Sequence, residues 1–202
     1  MRYLAKITTT FALALVFSAG VAFGQNNDAT VTQNGDNHLA DVEQVGGDNT
    51  ADVLQRNFGA SHEANIYQDG DDNSANVLSQ GGVGTNEVDI DQVGDENAAT
   101  VDQYWGSNTG IVYQDGTSNR AFIGHRGAFS SRAEITQKNG DDNNAEIYSS
   151  SDPSNPISDS AARILQDGSS NQGIITQSSG SLHSAVIEQM GSGNTAQISQ
   201  SN

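Results

Sequence analysis

One stretch, residues 86–103, restricts the fold of this chain more than any other. It reads Asn86-Glu87-Val88-Asp89-Ile90-Asp91-Gln92, then Val93-Gly94-Asp95-Glu96, then Asn97-Ala98-Ala99-Thr100-Val101-Asp102-Gln103. In each heptad the first, third, fifth and seventh residues are amide, small apolar, β-branched and amide, and the residues between them are mostly charged or polar. A period of two places alternate side chains on opposite faces of a strand. Each heptad therefore predicts a short strand with one wet, acidic face and one amide-flanked apolar face. The four-residue connection holds Gly94, and glycine supplies the positive φ that a tight reversal needs.

Nearly everything after residue 26 copies this unit. Fifteen heptads begin at Asn27, His38, Asn49, His62, Asn73, Asn86, Asn97, Asn108, Asn119, Ser131, Asn143, Ser160, Asn171, His183 and Asn194. The predicted core is the fifth position, which is β-branched throughout: Val31, Val42, Val53, Ile66, Val77, Ile90, Val101, Val112, Ile123, Ile135, Ile147, Ile164, Ile175, Ile187 and Ile198. The third position is Ala in twelve copies, Gly110 and Gly173 in two, and Val88 in one. The seventh position gives Gln55, Gln68, Gln92, Gln103, Gln114, Gln137, Gln166, Gln177, Gln189 and Gln200 as ladder residues, with Ser79, His125 and Ser149 as the exceptions. None of the 25 acids falls on an inward position; twelve lie on outward strand positions and thirteen in connections. Random placement would have put about a third of them inside, so the inner face excludes charge, as burial requires.

A second period overlies the first. Odd-numbered copies all begin with Asn, whereas even-numbered copies begin with His, Asn or Ser. Even-to-odd connections follow Gln-x-Gly-x-x-Asn, with turn glycines Gly46, Gly70, Gly94, Gly116, Gly140, Gly168 and Gly191; the Gln137–Asn143 loop has one extra residue. Odd-to-even connections are looser. The expected domain therefore spans 25–202: a strand at 27–33, then two-strand repeats at 38–55, 62–79, 86–103, 108–125, 131–149, 160–177 and 183–200. Pro153 and Pro156 fall in one insertion, 150–159, which reads as a surface loop because proline cannot donate to a ladder.

The expected fold class is all-β, a β-solenoid of stacked two-strand arches with about 15 short strands in two parallel sheets, amyloid-like in its stacking. Across an arch the fifth position faces the third, which sets Ile or Val against Ala. Identical amides one turn apart can bond along the axis as ladders, and a one-residue slip would bury the acids. The final heptad, Asn194 to Gln200, is a full copy followed only by Ser201-Asn202. Outermost strands are templates for further pairing, so the pattern invites head-to-tail polymerisation.

Composition narrows the partners. The net charge is −17, with 8 Lys plus Arg, which argues against nucleic acid and anionic membranes. No cysteine is present, so disulfide and thiol chemistry are excluded. Residues 1–24 read as a secretory signal: Arg2 and Lys6, an apolar stretch from Ile7 to Val16, and Ala22-Phe23-Gly24 before Gln25. Cleavage there would take the charge to −19.

The pattern Ser/Asn-x5-Gln-x-Gly-x-x-Asn-x-Ala-x3-Gln, carried by Asn108 to His125 and by Ser160 to Gln177, resembles the curlin repeat of curli fibre subunits. The resemblance covers residues 27–200. It implies a secreted structural subunit that polymerises into extracellular functional amyloid on the cell surface, supporting biofilm matrix, aggregation and adhesion. As partners it implies other copies of the chain, a nucleator subunit, an outer-membrane secretion pore and periplasmic accessory proteins. The acidic chain favours the major subunit over the nucleator, whose late repeats are more basic. The repeats begin about two residues after Gln25, without the Gly/Asn-rich leader of curlin major subunits.

For chemistry the expectation is no catalytic, cofactor or metal residue. The carboxylates lie on solvated faces with no pocket to perturb them. His38 and His62 share a column one turn apart, which could bring their rings together as a metal or pH-sensitive spot; the reading preferred is replacement of Ser in a polar ladder. Tyr104-Trp105, in one turn, reads equally as an exposed contact or as loop packing. A monomeric surface-binding solenoid is the remaining alternative to a polymerising subunit.

Overall fold

The computed structural model describes residues 26–57, 61–81, 84–150, 157–178 and 182–201. The proposed signal segment and both prolines lie outside the described residues. The strands in chain order are β1 (Asp28–Gly35), β2 (Leu39–Val45), β3 (Thr50–Asn57), β4 (Glu63–Asp69), β5 (Ser74–Gln80), β6 (Glu87–Val93), β7 (Ala98–Tyr104), β8 (Thr109–Asp115) and β9 (Arg120–Arg126). There follow β10 (Ala128–Phe129), β11 (Arg132–Lys138), β12 (Asn144–Ser150), β13 (Ile157–Ser158), β14 (Ala161–Asp167), β15 (Gln172–Ser178), β16 (Ser184–Met190) and β17 (Thr195–Ser201).

The fifteen heptads divide between two sheets. The first sheet is β1-β3-β5-β7-β9-β12-β15-β17, and the second is β2-β4-β6-β8-β11-β14-β16. Every neighbour is parallel, and each residue pairs with the same position of the next copy: Val31 with Val53, Ile66 with Ile90, Ile175 with Ile198. The chain is the expected β-solenoid, its two parallel sheets packed face to face.

One difference is the pair β10 and β13, a small third sheet of two parallel two-residue strands. It ties the end of the 150–159 insertion back to the loop after β9. The first heptad is part of the stack. It pairs along its whole length with β3.

The interior is built as the alternation demands. Ile90, Ile123, Ile135, Ile147, Ile164 and Ile175 are fully buried, in one cluster with the buried Ala51, Ala64, Ala133 and Ala145. Val31, Val42 and Ile198 are partly buried because their strands are outermost. The large-small pairing is visible at Gly110, where an added Cβ would stand 2.8 Å from Val101 Cγ1 and 3.7 Å from Ile123 Cγ2. No Asp, Glu, Lys or Arg is buried among the described residues.

Candidate functional site: amide columns and open edges

Asparagine heads each strand of the first sheet and satisfies backbone groups rather than another amide alone. The N–H of Asn73 donates to Asn49 Oδ1 at 2.9 Å, and Asn49 Nδ2 donates to the Gly70 carbonyl at 2.7 Å. Asn97, Asn119, Asn143, Asn171 and Asn194 each donate their N–H in the same way to the preceding Asn. A short amide that accepts on one side and donates on the other removes two orphan groups per layer. From Asn97 onward the amides also bond one another, Asn119, Asn143, Asn171 and Asn194 Nδ2 each donating to the preceding Oδ1 at 2.9–3.2 Å, so an Asn ladder runs beside the backbone bonds.

The second sheet uses an acceptor at the same place in most layers; Ser131 Oγ is buried without a partner, and Asn108 also donates to the Trp105 carbonyl at 2.6 Å. His62 N–H donates to His38 Nδ1 (3.1 Å), Asn86 N–H to His62 Nδ1 (3.2 Å), Asn108 N–H to Asn86 Oδ1 (3.1 Å) and His183 N–H to Ser160 Oγ (3.3 Å). That shared role accounts for His38, His62, Asn86, Asn108 and Ser160 standing in one column. The rings of His38 and His62 stack with centroids 5.0 Å apart and planes 7° from parallel.

Glutamine closes each strand. In the second sheet Gln44, Gln68, Gln92, Gln114, Gln137, Gln166 and Gln189 form an unbroken ladder, each Nε2 donating to the next Oε1 at 2.8–2.9 Å. Each glutamine from Gln44 onward also reaches across the arch to a carbonyl one residue past the facing strand's head, as Gln114 does to Ala98 at 3.2 Å. In the first sheet the ladder is interrupted. Gln33 donates to Gln55 and Gln177 to Gln200, but between them Ser79 Oγ, Gln103 Oε1 and both ring nitrogens of His125 are buried without partners. Gln103 is a ladder residue in position but not in bonding.

The turns stack as tightly as the strands. Gly70 sits at φ 128°, and a Cβ there would strike the Gly94 carbonyl. Gly46, Gly94, Gly116, Gly168 and Gly191 are also left-handed; Gly140 is not, because the extra residue of its loop moves the left-handed position to Asn139. Gly140 is still required, since a Cβ would collide with the Gly168 carbonyl. The residue before each Asn is left-handed too: Asp48, Asp72, Glu96, Ser118, Asp142 and Ser170. Asp at three of these six positions is the one signal the sequence offers, because after glycine Asn and Asp tolerate that region better than other residues.

The outer faces differ. Eight carboxylates on β2, β4, β6 and β8 face solvent without a basic residue among those strands. Partial burial pushes the Asp91 carboxyl up, and Asp89 and Asp115 add to the shift. On the other face Phe122 lies over Gly124 and meets Tyr148 at 4.9 Å, while Arg126 sits 5.6 Å over the Tyr104 ring. Trp105 is exposed. Ion pairs such as Arg163–Glu188 at 3.5 Å lie at the surface, where they contribute little. Among the described residues no group of three or more His, Cys, Asp or Glu is placed to hold a metal ion.

Columns of amides repeat layer upon layer, and among the described residues the outermost strands of both sheets carry no strand on their outer edge. The curlin associated repeat model matches residues 24–56, 86–109, 158–189 and 179–201, together half of the chain. The chain belongs to the curlin associated repeat family. No curated protein and no solved structure gives a match. The curlin repeat and the solenoid are structural in character, and the repeats are those of curli-type amyloid subunits, which self-assemble into extracellular fibres.

Proposed function

We propose that this curlin-repeat chain is the major structural subunit of an extracellular amyloid fibre, exported after cleavage of residues 1–24 and joined end to end with other copies in a surface-attached matrix. In the cell, this reading implies a nucleator subunit, a secretion pore and periplasmic accessory proteins as partners.

The observation that carries it is the polarity of the open ends. The glutamine ladders donate toward higher residue numbers, so the outermost donors are Gln189 and Gln200 and the terminal acceptors are Gln33 and Gln44. The asparagine column runs the other way, and Asn194 Oδ1 stands where the next backbone N–H would donate. The two ends are therefore complementary in donor and acceptor polarity, and like ends do not match. An unpaired edge with satisfied internal ladders is a template for the next strand.

Purified residues 25–202 at low micromolar concentration should form fibres that seed fresh protein without any partner. A monomer stable through long incubation with seeds would instead favour a soluble surface-binding solenoid. Deletion of the coding sequence should abolish fibre mass; loss of attachment alone would assign the chain as nucleator.

A further inference from the structure

The histidine pair lies beside the open edge of the second sheet. His38 precedes β2, the outermost strand of its sheet, which among the described residues pairs with β4 alone. Both rings are inside: His38 is 9% and His62 1% exposed. Each Nδ1 accepts a backbone N–H, from His62 and Asn86 respectively. That acceptor role fixes the proton of a neutral ring on Nε2. Both Nε2 atoms are buried without a hydrogen-bond partner.

A second proton therefore has nowhere to go without damage. It would place an N–H of each ring against a backbone N–H that now donates to it, breaking the bonds that hold β2, β4 and β6 in register. It would also stack two cations 5.0 Å apart. Nothing in the column offsets that charge. The carboxylates of the packed strands, Asp28 on β1, Asp41 and Glu43 on β2, Asp52 on β3, Glu63 and Asp69 on β4 and Glu87, Asp89 and Asp91 on β6, all stand at outward positions of the alternation, and Asp36 is exposed in the connection before His38; Arg56 on β3 also faces outward, as do Asn76 and Leu78 on β5. The facing inward groups are Gln55 and Ser79, neither ionisable. Burial first, and then His38, hold the His62 imidazole down at about 4 against its ordinary 6.5, with the Arg56 backbone opposing.

We infer that the stacked His38–His62 pair is a proton gate on the β2 edge, keeping it ordered for docking of a second copy at neutral pH and loosening it in acid. This rests on the assembly reading above. The ordering contribution is complete above the ordinary imidazole range and is lost as pH falls from about 6.5 toward 4. Asn86 and Asn108 perform the same backbone-acceptor role with an oxygen that does not titrate in this range, so His→Asn at both positions is a conservative control.

The test is seeded elongation by the mature chain and by H38N/H62N between about pH 7 and pH 5, with H125Q as a control that leaves the pair intact. Amide exchange at His62 and Asn86 is measured in each monomer. Wild-type and H125Q elongation should fall roughly twentyfold across that range, the linkage expected of one imidazole with this depression, while H38N/H62N changes less than threefold. Faster exchange at the two amides below about pH 6 should appear only where the histidines are present. Parallel loss of elongation in wild type and H38N/H62N overturns the gate and leaves assembly standing. Failure of every variant to elongate at any pH overturns assembly and the gate together.

Discussion

Asn49 has a side chain short enough to stay at the strand head and long enough to reach the next turn's glycine carbonyl. Glycine is needed in that turn for two separate reasons, and they can be pulled apart. At Gly70 the backbone is left-handed and a Cβ would meet the Gly94 carbonyl; at Gly193 the backbone is left-handed but nothing lies within 4 Å of the added carbon. Gly193→Ala should cost about 1 kcal/mol, the left-handed penalty alone. Gly70→Ala should cost at least about 3 kcal/mol once the collision is added. Urea midpoints of the two variants measure the difference. His125 gives a second residue-scale expectation. Burial lowers its imidazole to about 4, so the unfolded chain binds the proton more readily and stability falls as pH drops from about 6.5 to 4. The loss attributable to this ring is on the order of 3 kcal/mol. His125→Gln should flatten that limb of the stability-against-pH curve; an unchanged slope would place the acid sensitivity elsewhere.

At the scale of the element, the alternation of Asn86–Gln92 made strand length, inward face and register legible before any coordinates, because a slip of one residue would bury Asp89 and Asp91. The inward positions of Gln103 and Gln114 were equally legible, but their unequal bonding was not. It depends on which neighbours stand above and below: Gln114 lies between Gln92 and Gln137, whereas Gln103 lies between Ser79 and His125. The left-handed residues before each Asn, and the β10–β13 pair, were also missed. They arise from loop stacking that a period-two pattern does not encode. The interrupted ladder makes a prediction. Ser79→Gln should let the new Nε2 donate to the orphaned Gln103 Oε1 and the new Oε1 accept from Gln55, stabilising the chain by about 1–2 kcal/mol. Gln92→Ala, in the intact ladder, should destabilise by about 2–4 kcal/mol, since it leaves Gln68 without its acceptor and Gln114 without its donor. Thermal unfolding of both variants at neutral pH reads the opposite signs.

For the whole molecule the decisive question is whether the β17 edge receives another chain. Gln172 N–H donates to the Asn194 carbonyl, and in a parallel ladder the N–H groups alternate sides. The amides of Ala196, Ile198 and Gln200 therefore face β15, and those of Thr195, Gln197 and Ser199 face outward. Proline is tolerated on an edge strand where the missing N–H pointed to solvent. Gln197→Pro thus removes an outward donor and sets a ring against any incoming strand, while the inward Ala196 and Ile198 keep their packing. The variant should fold as a monomer with an unchanged β spectrum and fail to extend as a growing end. Because its β1 and β2 edges are untouched, it should still add once to the β17 end of a wild-type fibre and then stop growth, so that a small fraction of variant blocks elongation. Ala196→Pro is the contrasting case: it removes a bond to β15 and should lower stability before any fibre forms. Elongation of Gln197→Pro at the wild-type rate, with its fold intact, would show that copies do not meet through this edge.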